Sequence, residues 1–285
     1  MFDKFNLIEC SNVNEFWEVL SPQKPLVKKP CHFIYRGQSD AGWGLLPSIF
    51  RAKNNKTISE RMWNRKPTFD DQIAFELIML SYFMEQCDLL GLRINNDSSK
   101  FREQNINLNN QDKYLRNPAE WPNEELIEPM ALAQHHGIPT RLLDWTRRSY
   151  VAAYFAASTA LANHVEDTTV KIALWALDIE RIGLYKNIKI IKVPGSTSSN
   201  LAAQQGLFTL LKQNGKRGEK FQSKKLEDEF ASYPNTPLWK ITLPAKFATE
   251  VLDLCEIYGV SASVLFPGFD GAAKAVNDWI NKVDY

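Results

Sequence analysis

The chain has 285 residues, a formal net charge of +1 and 44% hydrophobic residues. Those values describe an ordinary soluble globular protein, long enough to bury a core without staples. They exclude a disordered, collagenous or membrane-embedded class, and the near-neutral charge supplies no overall field for nucleic acid or a lipid surface. The cysteines, Cys10, Cys31, Cys87 and Cys255, form no C-x-x-C pair. They read as reduced, buried thiols of a cytoplasmic protein rather than metal ligands or a disulfide frame. Met1-Phe2-Asp3-Lys4 does not read as a signal peptide, and no apolar run reaches the length of a membrane span.

In chain order, the pattern predicts a short helix over Val13 to Leu20 and a strand over Cys31 to Tyr35 that ends at Arg36. Residues 52 to 68 read as a polar connection. Ile73, Leu77, Leu80, Met84 and Cys87 recur at helical spacing and predict a helix over Asp70 to Leu90. Residues 95 to 124, rich in Asn, Gln and charge, read as an exposed insertion or lid. A helix over Glu125 to His135, a strand over Arg141 to Trp145 and a buried helix over Ser149 to Ala162 follow. That last helix is expected to bury Val151, Tyr154, Phe155 and Ala162 on one face. Strands are expected over Val170 to Leu177, Ile188 to Val193, Leu238 to Leu243 and Ala262 to Phe266. Gly195 to Asn200 reads as a loop, Lys212 to Phe230 as a solvated charged linker, and helices as covering Ala245 to Tyr258 and Phe269 to Ile280. The mixture implies α+β, with one mixed or antiparallel sheet and flanking helices.

Two polar clusters stand out. Gln134 to Thr146 holds two imidazoles, an arginine, an aspartate and an indole just before an apolar helix, where each polar group needs a partner if buried. Tyr35-Arg36-Gly37-Gln38 lies about a hundred residues earlier. An arginine at a strand end forks onto a phosphate or carboxylate, with Gly37 letting a ligand approach the backbone, or else it holds a turn by an internal ion pair. His135 and His136 are adjacent, point about 100° apart on a helix and have no third partner at metal spacing, so no metal is expected. One of them is a proton donor or ribose-hydroxyl partner, or both are structural. Asp144 or Thr146 is either the cap of the following helix or, with Trp145 as an apolar wall and Arg147 and Arg148 adding positive charge at the rim, part of a cleft. Gln205, in Gln204-Gln205-Gly206-Leu207-Phe208, reads an amide-bearing ligand or sits in an ordinary turn. P-loop, dinucleotide-fold, zincin and nucleophile-elbow signatures are absent.

These motifs resemble, in order, those of the FRG domain family: Tyr35-Arg36-Gly37-Gln38, Leu46 to Arg51, Gln134 to Thr146 with Val151 to Ala156, Gln205 to Phe208, and Phe266 to Gly271. The resemblance runs from about Cys31 to Ile280 and implies a single FRG-type domain over residues 1 to 285. The family is scattered through bacteria and their mobile elements, often near defence genes. A more distant likeness, in the order of an early-strand arginine, a polar strand, an apolar helix and a late polar residue, is to ADP-ribosyltransferases. It implies a core of that type, NAD as substrate and a nucleic-acid or protein acceptor. Arg36 with Tyr35, Gly37 and Gln38 would grip the dinucleotide, with His136, Arg141 and Trp145 as further contacts. Thr146 and Asp144 would form the second element, and His135 or His136 would hold a ribose hydroxyl. The third element would be Glu227-Asp228-Glu229, Gln205 or Asp270, or Asp144 itself would be the catalytic carboxylate. The alternatives are a nucleotide or nucleic-acid binding module without chemistry, and a scaffold or antitoxin partner in a defence system.

Overall fold

The computed structural model describes residues 2–23, 33–107, 112–163, 169–193 and 199–283. Cys31 and much of the predicted loop over Gly195 to Asn200 lie outside them. The strands are β1 Asn6–Glu9, β2 Phe33–Gln38, β3 Leu142–Thr146, β4 Lys171–Asp178, β5 Ile188–Ile191, β6 Gly206–Leu211 and β7 Leu238–Pro244. The helices are α1 Val13–Leu20, α2 Ile58–Trp63, α3 Phe69–Leu89, α4 Ser99–Asn105, α5 Asp112–Arg116, α6 Ile127–His135, α7 Ser149–Ala162, α8 Ser199–Ala203, α9 Ala248–Ile257, α10 Ala262–Leu265 and α11 Phe269–Val283. No helix among the described residues is long and apolar enough to cross a membrane. The fold is α+β, and the chain divides into two compact units. One comprises residues 1–45, 144–209 and 226–285, the other residues 46–143 and 210–225.

The first unit is built on a mixed sheet of order β1-β7-β4-β2-β3-β6-β5. β1 runs parallel to β7, whereas β4 is antiparallel to both β7 and β2, and β2 is antiparallel to β3. β4, in the interior of the sheet, is buried from Ile172 to Asp178. Its near-continuous apolar run is that of a strand covered on both faces. On one face lies α7, which packs on β2 and β4 and against α9 and α11. Val151, Ala152, Ala153, Ala156, Ala157, Ala160 and Leu161 belong to that core. Small residues on α7 let it approach the sheet closely. The sequence expectation for its buried face holds at Val151 and Tyr154. Phe155 is half-buried, edge-on to Phe266, and Ala162 is exposed where the helix ends in solvent. The run Ala262 to Phe266, expected as a strand, begins instead with the helical turn α10. Four apolar residues carry no periodicity that separates the two states.

The second unit is helical. α3 begins with a capping box in which Thr68 and Asp71 exchange side-chain and backbone hydrogen bonds, and α2, α5 and α6 pack on it. The segment over residues 95 to 124, expected as exposed, contributes to the packing on α3: Tyr114 and Trp121 are both only 1% exposed. The expected linker after Lys212 is also anchored in its first part. Gln213 brackets Lys224, accepting from its N–H at 2.9 Å and donating to its carbonyl at 3.3 Å, while Phe221 N–H donates to Pro67. The charges from Lys212 to Lys225 are exposed and Glu227 is buried, while the backbone of the first part is hydrogen-bonded.

Candidate functional site

β2 alternates its side chains between the two sheet faces. Phe33, Tyr35 and Gly37 face α7, with Phe33 and Tyr35 in or against that core. Gly37 is where the helix comes closest. A Cβ built there would lie 2.0 Å from the carbonyl oxygen of Ala152 and 2.8 Å from the backbone nitrogen of Ala156. The close approach that this glycine permits is therefore by α7, not by a ligand. That corrects the sequence reading of Gly37.

Arg36 and Gln38 point to the opposite face. In register across β2, β4 and β7, Arg36 pairs with Trp175 and Trp175 with Lys240. Gln38 is buried and fully engaged. Its Oε1 accepts from Trp175 Nε1 at 2.7 Å and its Nε2 donates to the Gly44 carbonyl at 3.1 Å. A carboxamide used at both ends supports the strand rather than reading a ligand.

β3 brings the second motif beside the first. Tyr35 is in register with Thr146. Four of the five β3 residues are buried, and Asp144 alone is exposed. Arg36 Nη1 donates to the Asp144 carbonyl at 2.8 Å and lies 3.5 Å from its Oδ2. The guanidinium side chain is 13% exposed and the carboxylate 62%. Arg36 Nε is buried without a hydrogen-bond partner among the described residues. Arg36 and Asp144 are thus neighbours, with the arginine recessed and the carboxylate at the rim.

The other expected residues of this unit have structural partners. Trp145, expected as a cleft wall, is 3% exposed and donates its indole N–H to Thr209 Oγ1 at 2.9 Å. It is a core residue and has almost no surface to offer a ligand. Thr146 Oγ1 donates to the Gln204 carbonyl at 2.6 Å and accepts from the Arg148 N–H at 3.1 Å. Arg147 N–H donates to the Gln205 carbonyl at 3.2 Å. These bonds tie the start of α7 to the turn before β6, where Gln205 adopts a left-handed φ of 48° with its side chain exposed. Neither Thr146 nor Asp144 caps α7; Arg148 holds that position, with no side-chain bond. Of the late acidic run, Glu227 accepts from Leu45 N–H at 3.0 Å, Asp228 pairs with Lys4 at 2.6 Å, and Glu229 accepts from Asn187 at 2.7 Å. Asp270 is exposed in the first turn of α11.

His135, His136 and Arg141 belong to the second unit. His135 ends α6 and His136 is its C-cap, followed by Gly137 at φ +84°, a left-handed position that favours glycine. Both imidazoles are exposed, their ring centroids 5.0 Å apart and edge to face. Arg141 is buried and forked onto Glu76, with Nε to Oε2 at 2.6 Å and Nη2 to Oε1 at 2.7 Å. Glu76 also accepts from Trp121 Nε1 at 3.0 Å and Gln72 Nε2 at 3.0 Å. The guanidinium sits over the Phe50 and Trp121 rings. Expected as a ligand contact, Arg141 is instead the centre of a closed internal network. Glu76 escaped the sequence reading although a signal existed: it is a carboxylate between Phe75 and Leu77 in the apolar stretch of α3.

The motif over Leu46 to Arg51 meets the same turn. Thr140 N–H donates to Ser48 Oγ at 3.2 Å and Ile49 N–H donates to the Thr140 carbonyl at 3.3 Å. Within each unit, separated motifs are thus one another's partners. Compared with known proteins, residues 31–164 match the model of the FRG domain. No curated protein and no solved structure matches the chain.

Proposed function

We propose, from the match of residues 31–164 to the FRG domain model, that Arg36 and Asp144 bind a nucleotide of the NAD class and that Asp144 serves the departure of its nicotinamide. One observation carries the reading. Among the signature polar groups of the first unit, only this pair combines a recessed guanidinium having an unused N–H with a carboxylate that reaches solvent. A recessed arginine suits a diphosphate oxygen, because its planar fork donates two parallel hydrogen bonds. A carboxylate beside the sugar stabilises positive charge as it develops. In the reaction, the bond between the ribose C1′ and the nicotinamide nitrogen breaks, and nicotinamide leaves with the electron pair. A hydroxyl or amine of the acceptor, or water, then bonds to C1′ and releases its proton to solvent. In this reading the acceptor is a nucleic acid or a protein, in a bacterial defence setting.

The test is nicotinamide release from NAD by purified protein, with and without nucleic acid and cell lysate, followed by chromatography. Asp144→Asn should lower release about 10²–10³-fold, the scale of losing one transition-state electrostatic group, while titration calorimetry still detects binding. Arg36→Ala should weaken the binding itself. Binding without release or modified acceptor would replace this reading by a binding module. That alternative draws support from the internal roles of Gln38, Trp145 and Thr146, which leave few groups for chemistry. Neither binding nor release would overturn both.

A further inference from the structure

α11 is seated by its polar and small residues. Gly271 is buried, Ala275 packs on the core beneath α7, Asp278 accepts from the Tyr154 hydroxyl at 2.7 Å, and Lys282 reaches Asp253 at 2.6 Å. These positions recur at helical spacing and define the inner face. The apolar stripe lies elsewhere. Phe269 is 96% exposed, Val276 56%, Trp279 65%, Ile280 42% and Val283 70%. With Ala272 and Ala273, also exposed, they form a stripe centred roughly 130° around the helix from its seat, at 3.6 residues per turn. A stripe of this kind is ordinarily what buries an amphipathic helix. Here it faces solvent along the whole element, as interaction surfaces do.

We propose that this stripe is a homotypic docking surface, through which two copies of the chain pair with their α11 helices antiparallel about a two-fold axis at Val276. The sizes of the side chains select that arrangement. The small pair Ala272 and Ala273 precedes Val276 by four and three positions, and the large pair Trp279 and Ile280 follows it by three and four. An antiparallel dyad therefore lays each large pair on the small pair of the other copy, sets Phe269 against Val283, and places Val276 on itself. Parallel pairing would stack indole on indole and leave a gap between alanines. The flanking charges are compatible with this arrangement. Asp270, Lys274, Asn277 and Asn281 flank the stripe on its outer side. The dyad brings Asp270 to Asn281 and Lys274 to Asn277 of the second copy, so that no two like charges meet on that flank. A lipid surface fits less well: Asp270, Lys274, Asp278 and Lys282 sum to zero, without the basic rim that holds an interfacial helix.

Sedimentation velocity over a concentration series tests the pairing. The full chain should show a concentration-dependent species of twice the monomer mass. Val276→Glu, which sets two carboxylates on the axis, should weaken association at least tenfold with an unchanged circular-dichroism spectrum, and Trp279→Ala should weaken it too. Orientation is read by oxidation of mixed Phe269→Cys and Val283→Cys variants: disulfides should join the two different variants in preference to like with like. A monomer at every concentration, a dimer indifferent to both substitutions, or cross-links between like variants would overturn the proposal. So would sedimentation with anionic vesicles by a chain that never dimerises.

Discussion

Arg141→Met removes the guanidinium from the second unit while keeping a long apolar stem between Phe50 and Trp121. Arg141 and Glu76 are 3% and 2% exposed, so solvent cannot take over the carboxylate left behind. Breaking a buried ion pair by removing one partner costs about 3–5 kcal/mol. Glu76 keeps the Trp121 and Gln72 donors, which places the expected loss toward the lower end of that range. With a urea dependence of about 1–3 kcal/mol per molar, the midpoint should fall by about 1–3 M. The double variant Glu76→Gln/Arg141→Met removes both charges, and its glutamine oxygen still accepts from the Trp121 indole. It should recover most of the loss, because the penalty lies in the uncompensated charge rather than in the missing attraction. Equilibrium urea denaturation of the wild type, each single variant and the double variant closes the cycle. A loss below about 1 kcal/mol for Arg141→Met would mean that Arg141 is not the network's charge partner, on the scale of an ordinary net hydrogen bond. A double variant no better than the single would show that packing rather than charge carries the effect. Either result would reopen Arg141 as a ligand contact.

Gly37→Ala should destabilise the first unit by about 1–3 kcal/mol or more, the scale of overpacking. The obstructing atoms are helix backbone and cannot rotate away. An unchanged denaturation midpoint would refute the α7 contact as the reason for this glycine. Asp278 is half-buried against Tyr154. Burial, the largest influence, raises its carboxyl above 3.8, opposed by the Tyr154 hydrogen bond and by Lys282 and Lys274. A raised folded-state value means that the native state holds the proton longer, so its contribution is fully present below pH 3.8 and is lost as the pH rises through the folded value. Asp278→Asn should lack that loss, so the melting temperature of the variant should gain on the wild type from acid to neutral pH. A difference independent of pH would contradict the assignment.

The periodicity of α3, α7 and α11, the apolar runs of β4 and β7, and the order of the motifs were legible in the sequence because they depend on neighbours within a few residues. The strand β1 was not, since four residues bear little pattern of their own and are fixed by pairing with β7 more than two hundred positions later. The site divides along the same line. The sequence determined that Arg36, Gly37, Gln38, Arg141, Asp144, Trp145 and Thr146 each needed a partner, because polar groups and missing side chains in apolar surroundings are costly unless compensated. Only the tertiary structure decided which partner each one has: α7 for Gly37, Trp175 for Gln38, Glu76 for Arg141, Thr209 for Trp145. Those contacts close loops of tens to more than a hundred residues, and a side chain's chemistry states what it needs without stating what the fold will bring to it.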